Sequence, residues 1–370
     1  MTQLTYGKII TIGLIGLVFG MYLSSYNFEP QIFIWDVAPE LTSNDALKDA
    51  KILLKSKISA PESVVVEKNV IYTGSASDGN FFKIVDEQIE KTINNPFGSG
   101  AIFGLRRLNK TDFVAADMIN GILVVNFETG NIRHLIPSGK EIHNFKISMT
   151  NDIDIIDEDT IIFTDTCSKW DFSKLGYCFF EHIPNGRVFK YQISTNKLEL
   201  LIDELYFPNG LQILPDRKSI LIGELWAARI TQLYIEGPKK NERKIFADNL
   251  PGFSDNIRLS THGTIYVAMA GVRQPTATSY LETIGNFPAI RKVFMQFLPE
   301  IFLKIWVFLQ YSIQHGLVLE YDTNGILIRT LQDPTGVVNR ISHVADDGEF
   351  LYLGSYINDF IAKIPKKNIA

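Results

Sequence analysis

The chain has 370 residues, 46% of them hydrophobic and 21% charged, and a net charge of −5. That length and apolar content can bury one large core, and a single domain of this size is usual for all-β architectures. The acidic balance, without a sustained basic patch, argues against a nucleic-acid partner.

Residues 1–8 are predicted to form a cytosolic N-terminus. The uncharged run Ile9 through Tyr26 (IITIGLIGLVFGMYLSSY) is close to the length of about 18–20 apolar residues that spans a bilayer. Lys8 precedes it while Glu29 and Asp36 follow, so the positive-inside bias predicts an uncleaved signal anchor and a type II membrane protein, with everything after 9–26 extracellular or lumenal. A cleaved signal peptide is the alternative, disfavoured because Tyr22-Leu23-Ser24-Ser25-Tyr26 lacks a small-x-small cleavage site. Residues 27–59 read as a stalk with a short Lys-rich amphipathic stretch.

From residue 60 to 370 a strand pattern repeats. Six short apolar strands, at 70–74, 113–117, 161–165, 220–224, 265–268 and 351–354, end near Gly or Asp. Most are followed by a second strand with paired aromatic or apolar residues, such as Phe81-Phe82 and Val188-Phe189, and then by turn signals such as Thr129-Gly130-Asn131 and Thr323-Asn324-Gly325. Each unit reads as one blade, and the whole as an all-β, six-bladed β-propeller. Asn109-Lys110-Thr111 is the only N-glycosylation sequon, in a polar turn before the second motif. Cys167 and Cys178, the only cysteines, flank a short loop and suit a local disulfide in an oxidising compartment, with free thiols as the alternative.

Between the fifth and sixth motifs the spacing nearly doubles. The excess, Tyr280 through Gln314, carries Phe287, Ile290, Phe294, Leu298, Ile301 and Ile305 at three- and four-residue steps, with Arg291, Lys292 and Lys304 among them. This predicts amphipathic helices broken near Pro299 and inserted between the fifth and sixth blades. They serve either as a cap over one face of the propeller or as an interfacial element on membrane lipid.

Five oxygen-bearing residues, Glu62, Asn151, Asn209, Asp255 and Asn256, share one phase of the repeat, roughly ten to thirteen residues ahead of a motif strand. Taken singly, an Asn beside Gly or Asp is usually a turn residue. A shared phase is different, because radial repetition makes equivalent residues converge on the central channel. Two carboxylates and three amides offer only hard oxygens, which favours calcium over zinc or copper. His343 occupies the equivalent phase of the sixth blade and is a candidate general base or substrate contact, although a lone His is more often structural. His143, upstream of Asn151, is a weaker candidate. Gly-x-Ser-x-Gly is absent.

Pro61-Glu62-Ser63, Asn151-Asp152-Ile153-Asp154, Leu205-Tyr206-Phe207-Pro208-Asn209-Gly210 and above all the run 246–258 through Asp255-Asn256-Ile257-Arg258 resemble the strictosidine synthase-like family, and the likeness extends over nearly the whole chain. More distantly the chain is similar to paraoxonases and related calcium-dependent esterases and lactonases. That resemblance implies that Glu62, Asn151, Asn209, Asp255 and Asn256 bind a catalytic calcium. Two departures matter. The stretch 337–344 contains no Glu, which disfavours the condensation that plant strictosidine synthase performs with a Glu on its last blade. Asp117 stands where a paraoxonase has one of its paired histidines. The expectation is a membrane-anchored, calcium-dependent hydrolase of lipophilic or aromatic esters and lactones, with Asp255 or Glu62 as base or nucleophile, in the plasma membrane or endoplasmic reticulum. The alternative is a non-catalytic, calcium-stabilised binding protein at the membrane.

Overall fold

The computed structural model describes residues 2–23, 27–273, 280–311 and 314–369. Six antiparallel four-stranded sheets form a closed ring. Their innermost strands are Pro61–Glu67, Ile102–Arg107, Thr150–Asp157, Pro208–Ile213, Gly252–Leu259 and Ile341–Asp346, each beside the next and the last beside the first. The predicted motif strands are the second strand of each blade. Both faces of those strands are buried, which is why they read as continuous apolar runs instead of alternating ones. In blade three, Ile161 and Phe163 face the seam with blade two while Ile162 between them faces blade four. Six clusters of buried side chains fill the six seams, and burying each Leu, Ile or Phe in them contributes about 1.5–3 kcal/mol.

The ring closes with sequence-distant strands. Blade six takes three strands from the C-terminal end of the propeller, and its outermost strand is Lys51–Leu53, paired antiparallel with Ile361–Pro365. The region read as a stalk is therefore not separate from the propeller. Leu47 is buried in the seam between blades five and six, and Phe28 and Phe33 are buried under the helices described below. Three residues of strand are too few to show a period, so the pattern could not reveal it.

Helix α1 (Thr2–Leu23) has every described side chain, 7–21, exposed. Among the described residues no helix is long and apolar enough to cross a membrane, and part of the predicted span, 24–26, lies outside them. Helix α2 (Leu175–Glu181) sits in the loop after the second strand of blade three. Helices α3 (Tyr280–Gly285), α4 (Pro288–Phe297) and α5 (Pro299–Tyr311) form the predicted insertion, of which 312–313 lie outside the described residues. Its location corrects the expectation. The helices join the second and third strands of blade five, Ile265–Val272 and Gly316–Tyr321, and do not link blades. The spacing between motifs had grown because blade five itself is interrupted, and the strand at 316–321 belongs to that blade.

Candidate metal centre and its cavity

Each of the six innermost strands is irregular at the same place. The pairing with the second strand slips between Pro61 and Ser63, Ile102 and Gly104, Thr150 and Ile153, Pro208 and Leu211, Ser254 and Ile257, and Ile341 and His343. The skipped positions hold Glu62, Phe103, Asn151 with Asp152, Asn209 with Gly210, Asp255 with Asn256, and Ser342. A bulge bends its strand and re-aims the extra side chain. Repeated in six blades, it gives the shared phase its physical form. Glycine permits the close approach this requires: a Cβ at Gly210 would meet the Asp255 carbonyl oxygen at 2.3 Å, and one at Gly104 the Asn151 carbonyl oxygen at 2.8 Å.

Glu62, Asn151, Asn209, Asp255 and Asn256 are all at most 4% exposed. Among the described residues, Glu62 Oε2, Asn151 Oδ1, Asn209 Oδ1 and Asp255 Oδ1 have no hydrogen-bond partner. Buried acceptors are nearly always satisfied, and four orphans from four blades form a donor set of two carboxylates and two amides. Beside them, Asp152 is paired with Arg258 at 2.7 Å. Three buried carboxylates against one guanidinium leave two negative charges uncompensated. Burial pushes the Glu62 carboxyl well above its usual range, reinforced by the charges of Asp255 and Asp152. Asp255 is raised well above its range by burial and then by Asp152, partly opposed by Asn209 and Arg258. A hard divalent cation accepting oxygen ligands fits both the orphans and the charge. Among the described residues no group of three or more His, Cys, Asp and Glu is arranged to hold a metal, because amides supply half of this donor set.

Asn151, Asn209 and Asp255 reach a cavity of about 250 Å³, with walls that include Phe103, Phe179, Phe207, Trp226 and Phe253. Arg340 and Tyr356 are its polar wall residues. Innermost strands supply Phe103 and Phe253, and segments between strands supply Phe179, Phe207 and Trp226. The Cys167–Cys178 disulfide, Cα–Cα 6.5 Å, closes the loop that presents Leu175 and Phe179 to the cavity. Just beyond the disulfide the buried Glu181 accepts hydrogen bonds from Trp170 Nε1 at 2.7 Å and from the Glu29 N–H at 2.7 Å. The segment after α1 braces the same wall, as Trp35 Nε1 donates to the Trp226 carbonyl oxygen at 2.8 Å and the two indoles stack at 5.8 Å. His182 stacks on Phe33 at 4.1 Å, and burial, aided by the charge of Arg291, pushes its pKa down to about 3.

The insertion braces this wall from outside. Phe302 packs on Phe180 at 4.5 Å, Tyr177 donates to the Met295 carbonyl oxygen at 3.1 Å, and the buried Arg291 donates to the carbonyl oxygens of Phe180, Gln31 and Gly285. Its other side leaves Phe287, Ile290, Phe294, Leu298, Ile301 and Ile305 exposed. None of its described side chains lines the cavity.

The remaining candidates lie elsewhere. His343 follows the bulged Ser342, is buried, and places Nδ1 3.4 Å from Ser63 Oγ. Burial, then Arg258 and Arg106, holds its imidazole well below its ordinary pKa and neutral. It does not line the cavity. His143 approaches the Leu198 carbonyl oxygen at 3.5 Å, away from the centre. Asp117 is a loop tie, accepting the Ala101 and Ile119 N–H groups at 3.0 and 2.9 Å. Asn109 forms an Asx turn, its Oδ1 accepting the N–H of Thr111 at 3.0 Å. Sequence reasoning missed Asp152 and Arg258, and also the aromatic wall. Asp152 and Arg258 stand one and two residues from proposed ligands, and that adjacency was the available signal.

The strictosidine synthase family model matches residues 151–238, which carry Asn151 and Asn209, and the strictosidine synthase-like N-terminal model matches 40–81, which carries Glu62. Adipocyte plasma membrane-associated protein of Mus musculus is 31% identical over all of this chain and 91% of its own length, and that of Danio rerio 31% identical over 95% and 87%. Among solved structures, the gluconolactonase XC5397 from Xanthomonas campestris aligns with TM-score 0.59 at 13% identity, covering 92% of this chain and 98% of its own. A calcium-binding regucalcin from Agrobacterium tumefaciens aligns with TM-score 0.54 at 11% identity, covering 90% and 95%. These two likenesses show the propeller fold. The full-length relatives, with the matched segments that bear three of the four orphaned oxygens, place the chain in the strictosidine synthase-like family, among the relatives of adipocyte plasma membrane-associated protein.

Proposed function

We propose that this chain is a membrane-associated, calcium-dependent hydrolase of lipophilic esters or lactones. The observation that carries the reading is the convergence of four unpartnered side-chain oxygens beneath an apolar cavity. Glu62, Asn151, Asn209 and Asp255 would hold calcium, which supplies a positive centre that polarises an ester carbonyl and stabilises the charge developing on its oxygen. The aromatic walls bind the apolar part of the substrate and exclude bulk water. Asp255 lines the cavity whereas Glu62 does not, so Asp255 is the better placed to take a proton from an attacking water. The gluconolactonase among the fold relatives is consistent with ring-ester chemistry on such a scaffold.

In the same reading α1 anchors the protein, and its C-terminal end leads within a few residues to Phe28, packed 5.5 Å from Tyr177, whose neighbours Leu175 and Phe179 line the cavity. The exposed stripe of α4 and α5 stands on that side as well and would rest in the interface. Cavity and bilayer would then adjoin, so lipophilic substrates could enter from the membrane. The disulfide and the Asn109 sequon suit a lumenal or extracellular propeller, in the endoplasmic reticulum or plasma membrane.

The test is hydrolysis of phenyl and naphthyl acetates and of a long-chain lactone by the purified chain, before and after calcium chelation and re-addition, with folding followed in parallel. Activity that disappears and returns while the fold persists supports the hydrolase. A folded, calcium-loaded, inactive protein supports the second reading, a calcium-stabilised binding protein. The absence of His343 from the cavity favours that second reading.

A further inference from the structure

Four of the five candidate ligands present an unpartnered oxygen, and the fifth does not. Asn256 Oδ1 accepts from Arg258 at 2.9 Å, and Asn256 Nδ2 donates to Glu62 Oε1 at 2.9 Å. Arg258 is itself fixed by two parallel bonds to Asp152, at 2.7 and 2.9 Å. Asp152 Oδ2 also takes the Leu211 N–H at 2.7 Å. The chain Asp152–Arg258–Asn256–Glu62 therefore crosses the channel from blade three through blade five to blade one. All four residues are at most 6% exposed.

Its chemistry determines the amide's orientation. A guanidinium only donates, so turning the Asn256 amide over would set donor against donor at Arg258, and with the cation bound it would also set acceptor against acceptor at the ionised Glu62. A paired Arg–carboxylate fork is rigid in the plane in which it donates. Glu62 is left with one oxygen, Oε2, without a partner.

We propose that Asn256 is a positioning residue and not a ligand: the buried Asp152–Arg258 pair holds its carbonyl oxygen and turns its amide N–H onto Glu62, so that Glu62 Oε2 alone faces the cation. This rests on the cation reading above. It assigns the ion four protein side-chain oxygens, from blades one, three, four and five, with the rest of its coordination left to water or substrate. Outer partners of this kind orient ligands and typically change affinity by about 10–100-fold when removed.

The experiment uses the purified full-length chain with terbium as a luminescent probe, competed with calcium; lifetimes in H2O and D2O count the waters on the ion. Asn256→Ala should weaken binding by about tenfold without adding a water to the bound ion. Arg258→Lys, which keeps the charge but not the fork, should weaken binding similarly, and the two changes together should cost little more than either alone, because both act through Glu62. Should the Ala variant fail to fold, Asn256→Ser gives the same hydration readout. A wild-type protein that binds normally and gains a water in Asn256→Ala or Asn256→Ser makes Asn256 a ligand and overturns the proposal, while the cation reading stands. Fully additive losses overturn it as well. A folded wild-type chain that binds neither ion overturns the cation reading, and this inference with it.

Discussion

Two sets of buried acids lie close together in this propeller, and their hydrogen bonds set them apart. Asp117, Asp165 and Glu224 end the second strands of blades two, three and four, and each is saturated. Asp165 takes the N–H groups of Ser148 and Met149 at 3.1 and 2.8 Å and the Arg187 guanidinium, while Glu224 takes Arg229, Thr231 and the Tyr206 N–H. Glu62 and Asp255, on the inner strands, are as deeply buried but keep an oxygen without a partner. Residue type and burial are the same in both sets. What separates a loop anchor from a binding site is whether the protein itself completes the acceptors.

Removing a saturated acid should be the more damaging change. Asp165→Ala strands a partly buried Arg187 and two buried N–H groups, and a loss of about 3–5 kcal/mol in denaturant unfolding is expected; a loss below 1 kcal/mol would erase the distinction. Glu62→Gln should behave in the opposite way. The metal-free variant should be no less stable than wild type, because a neutral amide replaces a buried carboxyl whose ionisation is unfavourable there, but it should lose the calcium-dependent gain, about 2.7 kcal/mol at a hundredfold excess over Kd. Thermal unfolding with and without calcium reads both effects, and an undiminished calcium gain in the variant would remove Glu62 from the ligand set.

His182 extends the contrast to a base buried without a charge partner. Its folded pKa, near 3, lies below the 6.5 of an ordinary imidazole, so the unfolded state binds the proton first as pH falls. Its contribution is intact above pH 6.5 and is lost as pH falls from there towards 3, with a slope of at most about 1.4 kcal/mol per pH unit. His182→Asn, which tolerates the left-handed backbone at this position (φ 52°), should flatten that slope in unfolding titrations between pH 4 and 6.5; an unchanged slope would assign it to other groups. The smallest stability effect belongs to the exposed stripe. Leu298→Ser with Ile301→Ser should alter stability by no more than about 0.5 kcal/mol per site while reducing co-flotation with phosphatidylcholine vesicles of a chain from which the anchor α1 has been removed. Equal flotation would return the insertion to a purely bracing role.

The blades were legible because both faces of their second strands are apolar, a signal carried by every seam. The site was legible because ring symmetry turns a shared phase into a shared place. Other features required long-range pairing. The strand Lys51–Leu53 has no period of its own and exists only through its partner at 361–363. The interruption of blade five was misplaced because a motif-to-motif count cannot tell whether an insertion falls before or after the third strand. His343 shares its blade's phase to within one residue, and at a bulge one residue decides which way a side chain points. Much of the cavity wall comes from segments between strands, where Phe207 and Trp226 carry no periodic signature.

The pairing of Lys51–Leu53 with Ile361–Pro365 also sets an order on biosynthesis. Leu53 emerges from the ribosome roughly 300 residues before its partner Ile361, an interval on the order of 15–60 s at ordinary elongation rates. Throughout that time five blades can assemble while the sixth has only its outermost strand, and the edge of Lys51–Leu53 stays open beside a nascent chain. The clasp can therefore close only near the end of synthesis, and a chaperone that shields residues 47–54 until then would guard the step at which this ring is most exposed to pairing with the wrong strand.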